Sequence, residues 1–203
     1  LSHCCGKFKK AKKLLSQLEQ KCQTTADPAI ISAKLLGSAM IETLSGSFKD
    51  ARIKFRKSID LLGVVNEGLM QHIVSLNFGW TLFLSGRFLE AQSTLEAVMS
   101  YAMSTDQTTL LIWSYQLEML TRLFSGEFGI MEVIAHKVRN LCRKDTLSTG
   151  TSAILGLALV MQRKFEQAIP HIRYACKKLS QTAQTQVSVQ GFVLSFCSLF
   201  AGL

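Results

Sequence analysis

Proline is scarce in this sequence, and so are stretches that alternate apolar and polar residues. Only two of the 203 residues are proline, while hydrophobic residues make up 48% of the chain. A β-sandwich or barrel needs many short alternating strands separated by turn residues, so this composition argues against both. No segment reads as a linker or a low-complexity region. The sequence therefore predicts an all-α chain with enough apolar residues for a sizeable core.

Metal-ligand clusters are also lacking. No Cys-x-x-Cys pair or zinc-finger spacing occurs among the six cysteines, which are Cys4, Cys5, Cys22, Cys142, Cys176 and Cys197. Such cysteine usage suits a reducing compartment. His3, Cys4 and Cys5 complete a metal site only with ligands from elsewhere in the chain. We therefore expect no metal site.

Paired catalytic groups are missing as well. The four histidines are scattered, and none is paired by spacing with a nucleophile or a carboxylate. Gly150 and Gly156 enclose five residues and are followed by leucine, whereas a phosphate-binding loop needs four residues and then lysine. We therefore expect no catalytic residue, no cofactor site and no enzymatic activity within these residues.

Charge is absent from two long stretches, Gly68 to Gly86 and Leu179 to Leu203. A membrane-spanning helix needs about 20 predominantly apolar residues. The first stretch contains Gln71, His72 and Asn77, and the second contains four glutamines. No signal peptide is visible. We therefore expect buried helices of a cytoplasmic protein with no transmembrane span.

A repeated motif is what the sequence does contain. It is a glycine, then a phenylalanine two residues later, then an alanine three residues after that. Its five copies lie at Gly6, Phe8 and Ala11; Gly46, Phe48 and Ala51; Gly86, Phe88 and Ala91; Gly126, Phe128 and Met131; and Arg163, Phe165 and Ala168. Met131 replaces the alanine in the fourth copy, and Arg163 replaces the glycine in the fifth. The phenylalanines are 40, 40, 40 and 37 residues apart. A repeat of this size is typical of a solenoid of stacked units.

Each repeat is predicted to be a helix, a tight turn and a second helix. After Phe48, the residues Ala51, Phe55, Ile59 and Leu62 follow helical spacing, which indicates an amphipathic helix. A more apolar segment precedes each turn, for example Leu69 to Leu84 or Leu110 to Phe124. We call the apolar helix first-type and the helix after the turn second-type. Glycine fits the turn because a helix often ends with a residue at positive φ. We place the turns near residues 6–8, 46–48, 86–88, 126–128 and 163–165.

Polar residues near the helix starts are expected to act as N-caps. Asp27 precedes Pro28, and proline is favoured at the first helical position. Asn66 and the segment from Ser104 to Asp106 are predicted to cap the helices that follow them. Pro170 lies five residues after Phe165, so that helix should bend or start late.

These landmarks resemble the tetratricopeptide repeat (TPR). Phe78-Gly79 and Leu155-Gly156 match the Leu-Gly pair in the first helix of that family. The resemblance implies a right-handed TPR-like solenoid in which first-type helices line a concave groove and second-type helices form the convex outer surface. The chain departs from the family in its period of about 40 residues, because a tetratricopeptide unit has about 34 residues. HEAT-like repeats match the period better but do not explain the Gly-x-Phe-x-x-Ala pattern.

Residues 1–203 are expected to form a single continuous array, cut from a longer chain at the same phase of the repeat at both ends. Its packing and turn residues are predicted to be Gly6, Phe8, Ala11, Gly46, Phe48, Ala51, Gly79, Gly86, Phe88, Ala91, Gly126, Phe128, Gly156, Phe165 and Ala168. Trp80, Trp113 and Tyr115 lie at helical core spacing without interleaved basic residues, which favours core packing over stacking on nucleic-acid bases.

The net charge of +9 falls mostly on the second-type helices. The basic residues include Lys49, Arg52 and Lys54 after the second turn, and Lys137 and Arg139 after the fourth. Such a surface either only solubilises the protein or binds an acidic partner, which is a protein tail, a membrane surface or nucleic acid. The aromatic pattern makes nucleic acid the weakest of these.

A second resemblance concerns the whole chain. The turns at 82–88 and 122–128, with the segment Ile154 to Ala158, are similar to the C-terminal helical region of soluble, bicarbonate-responsive adenylyl cyclases. The resemblance implies a non-catalytic, protein-interaction or regulatory solenoid of an enzyme that produces cyclic AMP, in the cytoplasm or in a cilium or flagellum. The alternatives are a scaffold subunit of a cytoskeletal or ciliary assembly and a basic-surface binder of nucleic acid or acidic lipid.

Overall fold

The computed structural model describes residues 9–10, 12–17, 20, 26–142 and 149–182. All regular elements within these ranges are helical and none is a strand, which confirms the prediction of an all-α chain for this part. They are α1 (Pro28–Leu44), α2 (Phe48–Val64), α3 (Gly68–Leu84), α4 (Phe88–Ser104), α5 (Thr108–Phe124), a 3₁₀ helix (Phe128–Ile130), α6 (Met131–Leu141), α7 (Thr149–Met161) and α8 (Phe165–Thr182). The odd-numbered α-helices are first-type and the even-numbered ones second-type. Further helical residues precede α1.

The helices pack against their sequence neighbours in two compact units. Unit 1 falls within Leu1–Leu110 and unit 2 within Leu111–Leu203. In unit 1, α2 packs against α1 and α3, α3 packs against α4, and α1 touches α3. In unit 2, α7 packs against α6 and α8. Short turns make successive helices antiparallel, so α1 and α3 run in the same direction. That residues 1–203 form one continuous array stays a prediction.

The turns between consecutive helices share one backbone geometry. In each of the six that the structure describes in full, the middle one of three turn residues has positive φ, and these residues are Gly46, Asn66, Gly86, Asp106, Gly126 and Arg163. The next backbone N–H donates to a carbonyl five residues earlier, at 2.9 Å from Arg87 to Leu82 and 3.1 Å from Glu67 to Leu62. This is the Schellman motif, which satisfies carbonyls at the helix end.

Two of these turns correct the N-cap predictions. Asn66 and Asp106 have φ of 58° and 54°, so they end α2 and α4 instead of starting α3 and α5. Asparagine and aspartate tolerate this conformation better than most residues because their short polar side chains hydrogen-bond locally. Asp27 does act as an N-cap: its carboxylate accepts a hydrogen bond of 2.9 Å from the N–H of Ala29. The sequence shows the residue type but not which helix end it serves.

The last position of the repeated motif lies in the core. Ala51, Ala91, Met131 and Ala168 are fully buried. The predicted stripe continues along α2, where Phe55 is also buried and its ring lies 5.8 Å from that of Phe78 in α3. One face of each second-type helix is therefore buried, because the motif sets the helix's rotation about its axis.

The helix that contains Pro170 begins at Phe165. The prediction of a late start is wrong, because the turn at Arg163 fixes the start and the Ala168 N–H already donates to the Lys164 carbonyl at 3.1 Å. Pro170 leaves only the Glu166 carbonyl without its usual helical donor.

Arg163 is the only arginine or lysine at positive φ among the described residues. Replacing Arg163 by glycine should raise the free energy of unfolding by about 1 kcal/mol, because glycine removes the steric cost of a Cβ in this conformation. Urea unfolding measures the change. The exposed Arg173 of α8, replaced by glycine in the helix interior, is the control and should be destabilised by about 1 kcal/mol. A loss of stability in Arg163→Gly would contradict the prediction.

The charge-free stretch from Gly68 forms α3, in which residues such as Leu76, Phe78 and Leu82 are buried. Among the described helices, none is both long and apolar enough to cross a membrane. From residue 183 onward, the second charge-free stretch lies outside the described residues.

Candidate functional site

The first-type helices of unit 1 meet at a pair of threonines. The hydroxyls of Thr43 in α1 and Thr81 in α3 are 2.9 Å apart and hydrogen-bonded. Each hydroxyl also lies within hydrogen-bonding distance of a carbonyl one turn earlier in its own helix, that of Ala39 or Asn77. Because Thr81 is buried, this contact marks the line along which α1 and α3 touch.

Helix geometry places four apolar residues on one side of that line. Residues in an α-helix are about 100° apart, so Met40 and Leu44 lie about 60° and 100° around α1 from Thr43. Trp80 and Leu84 lie about 100° and 60° around α3 from Thr81 in the opposite sense. Because the two parallel helices face each other at the threonines, opposite senses lead to the same side. Met40, Leu44, Trp80 and Leu84 therefore share one surface.

This surface is exposed and carries no charge. The exposed fractions are 63% for Leu44, 43% for Met40 and 38% for Leu84, and Trp80 is half-buried. We call these four residues the apolar face. Contiguous exposed apolar residues of this kind mark interaction sites more often than scattered ones do.

The opposite sides of α1 and α3 are closed by α2. The Ser32 hydroxyl of α1 is buried and lies 2.7 Å from that of Ser58 in α2. The ammonium of Lys54 in α2 pairs with the carboxylate of Glu42 in α1. These contacts hold the polar side of α1 against α2, away from the apolar face.

The predicted glycines fall into two classes, which are turn residues at positive φ and residues in helices where the packing is close. The glycines at 46, 86 and 126 are turn residues at positive φ, where an added Cβ would meet open space. Gly79 is buried in α3. Gly156 lies where α7 and α8 approach closely, and an added Cβ would be 2.7 Å from Cγ1 of Ile172. Gly6, Phe8 and Ala11 lie outside the described residues.

The motif phenylalanines are less buried than the alanines. Phe48, Phe88 and Phe128 are half-buried at the first turn of their helices, and Phe165 is 56% exposed. They lie at the ends of the buried stripes rather than in the middle of the core.

The expected core role is wrong for Trp113. Its side chain is 50% exposed, whereas Tyr115 is buried. Leu110, Leu111 and Ser114, which are close to Trp113 in sequence, lie on the buried side of α5, and Trp113 lies on its exposed side. Helical spacing alone did not distinguish these positions because almost every residue of this segment is apolar.

The basic residues of the second-type helices are largely exposed. Lys49, Arg56 and Lys57 lie on the exposed side of α2, with Asp50 and Asp60 among them. In unit 2 the Lys137 ammonium lies 5.8 Å from the centre of the Tyr115 ring. An acidic partner for these helices stays a prediction.

Unit 2 contains a cleft that no sequence motif predicts. Its volume is about 240 Å³. Three helices line it at helical spacing: α6 with Glu132, Ala135, His136 and Arg139, α7 with Leu155 and Leu159, and α8 with Gln167 and His171. The floor is apolar, since Ala135, Leu155 and Leu159 are buried, and the polar side chains form its wall.

The polar wall of the cleft is rich in hydrogen-bond donors. Arg139 Nε is buried and makes no hydrogen bond within the described residues. A buried donor without a partner costs about 1–3 kcal/mol. Burial and then the charge of Arg139 lower the pKa of His171 below its usual value. Glu132, the acidic member, is paired with Lys164 at 3.0 Å. Arg139 is therefore the one permanent cation among the lining residues.

In the described part of the chain, no three His, Cys, Asp or Glu side chains group as metal ligands. No family model matches the sequence, and no curated protein and no solved structure matches it either. The assignment of function therefore depends on the geometry and on the motif.

Proposed function

We propose that this chain is a non-catalytic helical-repeat module that binds a polypeptide partner on the apolar face of unit 1. The observation that carries the proposal is that exposed apolar residues of two helices lie together on one side with no charged residue among them. Keeping several large apolar side chains in water has a hydrophobic cost, which a partner removes by covering them.

The partner that fits best is an amphipathic helix. The apolar face follows two parallel helices of 17 residues each, and a 17-residue helix is about 25 Å long. A shallow groove between parallel helices accommodates the apolar stripe of a third helix. Because the chain has a net charge of +9, acidic residues beside that stripe should steer the partner toward it.

The proposed architecture is a right-handed TPR-like solenoid with a period of about 40 residues. Support comes from the helix starts at Pro28, Phe48, Gly68, Phe88 and Thr108, which are evenly spaced at half the period of the motif. Within unit 1, the turn inside each helix pair uses glycine, and the turn between the pairs uses Asn66.

The resemblance of the turns to soluble adenylyl cyclases supports a narrower proposal. In it, the module is the regulatory helical region of a bicarbonate-responsive cyclase in the cytoplasm or a cilium, and the catalytic domains precede it. Intact mass and peptide sequencing of the source protein test this. Upstream cyclase domains would support the assignment, whereas further repeats of the same kind alone would favour a scaffold subunit.

Selection from a displayed library of helical peptides tests the docking site. We expect the selected peptides to have an apolar stripe flanked by acidic residues. Leu44→Glu and Trp80→Ala should each weaken peptide binding at least about tenfold, because large apolar residues at the centre of an interface carry much of the binding free energy. Fluorescence anisotropy of a labelled peptide measures the affinity.

Leu89→Glu is the matched control for Leu44→Glu. Leu89 is 82% exposed on α4, which is not one of the two helices that form the apolar face, so this substitution changes the charge equally and should leave the affinity within about twofold. Peptides that bind equally well to all variants would refute the proposed site. A dimer of the unaltered chain in sedimentation that Leu44→Glu dissociates would also refute it, because a second copy would then cover the face.

A further inference from the structure

The cleft of unit 2 brings a guanidinium and two imidazoles together beside an apolar floor. Arg139 and His136 of α6 line it together with His171 of α8, and Leu155 and Leu159 of α7 form its buried floor. A guanidinium carries only hydrogen-bond donors. The strongest acceptors for it are anionic oxygens.

We propose that the cleft between α6, α7 and α8 binds a carboxylate group, which Arg139 holds together with His136 and His171, while the apolar part of the ligand packs on Leu155 and Leu159. This site is in unit 2 and does not depend on the docking function proposed for unit 1. The repeated motif does not predict this site, because the residues that line it come from three different helices.

The charges in the cleft favour a carboxylate over a phosphate. Arg139 is the one permanent cation among the lining residues, and the positive charge of Lys164 is already paired with Glu132 at 3.0 Å. A monoanion matches the single positive charge of one guanidinium. A phosphate dianion would carry one negative charge more than Arg139 can balance and would also be repelled by the Glu132 carboxylate. A guanidinium also matches the two oxygens of a carboxylate geometrically.

The size of the cleft limits the ligand to a small group. Its volume is about 240 Å³, below the 300–1,000 Å³ typical of pockets for drug-sized molecules. A short-chain carboxylic acid fits, and so does a single glutamate side chain of a polypeptide. The buried floor of Leu155 and Leu159 favours a ligand with a few methylene groups next to its carboxylate.

Binding should depend on pH through His171. Its pKa is lowered by burial and by the charge of Arg139, and a bound carboxylate would offset that charge. The groups that face it from α6 are His136, Arg139 and the Lys164-paired Glu132; the lining residues from α7 do not titrate. Since the bound anion favours protonated His171, the pKa of His171 should rise on binding, and the affinity should increase as the pH falls from 7.5 to 5.5.

The test is a titration of the whole chain with sodium butyrate at constant ionic strength, followed by NMR of the histidine ring protons. We expect saturable shifts of the His136 and His171 signals and a raised pKa of His171. Butyrate should bind more tightly than acetate, because only butyrate reaches the floor. Shifts that do not saturate, or phosphate binding more tightly than butyrate, would overturn the proposal.

Arg139→Gln should weaken butyrate binding at least tenfold. Arg173→Gln is the control: it removes the same charge from the exposed side of α8, so the affinity should stay within twofold. Equal losses in both variants would show general charge screening and refute the site. Circular dichroism checks the fold of each variant, and the His171 pKa measurement on the unaltered chain is decisive even where Arg139→Gln does not fold.

A blocked peptide distinguishes the two sources of the carboxylate. Acetyl-Ala-Glu-Ala-amide carries its only carboxylate on the glutamate side chain. Tighter binding of this peptide than of butyrate would support a carboxylate from a polypeptide partner. Tighter binding of butyrate would support a free small acid, and both results would retain the carboxylate site.

Discussion

Replacing Gly156 by valine is expected to lower the free energy of unfolding by about 3 kcal/mol, the largest effect we predict for a single substitution. A Cβ at this position would lie 2.7 Å from Cγ1 of Ile172 and 3.3 Å from the backbone nitrogen of Ile172. The side chain can move away, but the backbone of α8 cannot do so without separating from α7. Urea unfolding followed by circular dichroism measures the loss.

Gly129→Val is the matched control in the same unit, since an added Cβ at Gly129 would meet nothing within 4 Å. Its effect should stay below about 1 kcal/mol. A double-mutant cycle of Gly156→Ala with Ile172→Ala should show a favourable coupling, because the second substitution removes the atom nearest to the new Cβ. Equal unfolding midpoints of Gly156→Val and the unaltered chain would contradict the close approach of α7 and α8.

Replacing Gly86 by valine is expected to cost about 2–3 kcal/mol for a different reason. Gly86 has a φ of 76°, and nothing lies within 4 Å of an added Cβ, so the cost is conformational and does not come from packing. A β-branched residue is particularly unfavourable at positive φ. Thermal and urea unfolding of the variant measure the effect.

Gly86→Asn separates the two causes. Asn66 already occupies the equivalent turn position between α2 and α3 with a φ of 58°. Asparagine at position 86 should therefore cost less than about 1 kcal/mol, although its side chain has more atoms than that of valine. If valine and asparagine destabilised the chain equally, the cost could not be attributed to the sign of φ.

The helical fold class was predictable because its signal is local. An apolar residue three positions after each motif phenylalanine, as Ala51 is after Phe48, sets a helical period that needs no tertiary information. Glycine in a tight turn carries a similar local signal. Asn66 and Asp106 were assigned to the wrong helix end because the same short polar side chains favour both N-caps and positive φ.

The candidate sites were not predictable, because they depend on how helices meet. Leu44 and Leu84 each precede a Ser-Gly turn, so the sequence shows that they occupy equivalent positions in the repeat. Only the contact between Thr43 and Thr81 shows that the two leucines lie on the same side of the packed helices. The exposure of Trp113 depends on which side of α5 is covered. The cleft of unit 2 joins Arg139 and His171, which are distant in sequence and belong to different helices.

The packing of helices against their sequence neighbours has a kinetic consequence. In unit 1, each described helix contacts only the next helix or the one after it, and three-residue turns connect them. Little chain entropy is lost in closing such short loops, and chains dominated by local contacts fold in about microseconds to milliseconds. The same locality lets a terminal helix pair open while the next pair keeps its contacts, so amide hydrogen exchange should be fastest at the ends of a unit and slowest in α2 and α3.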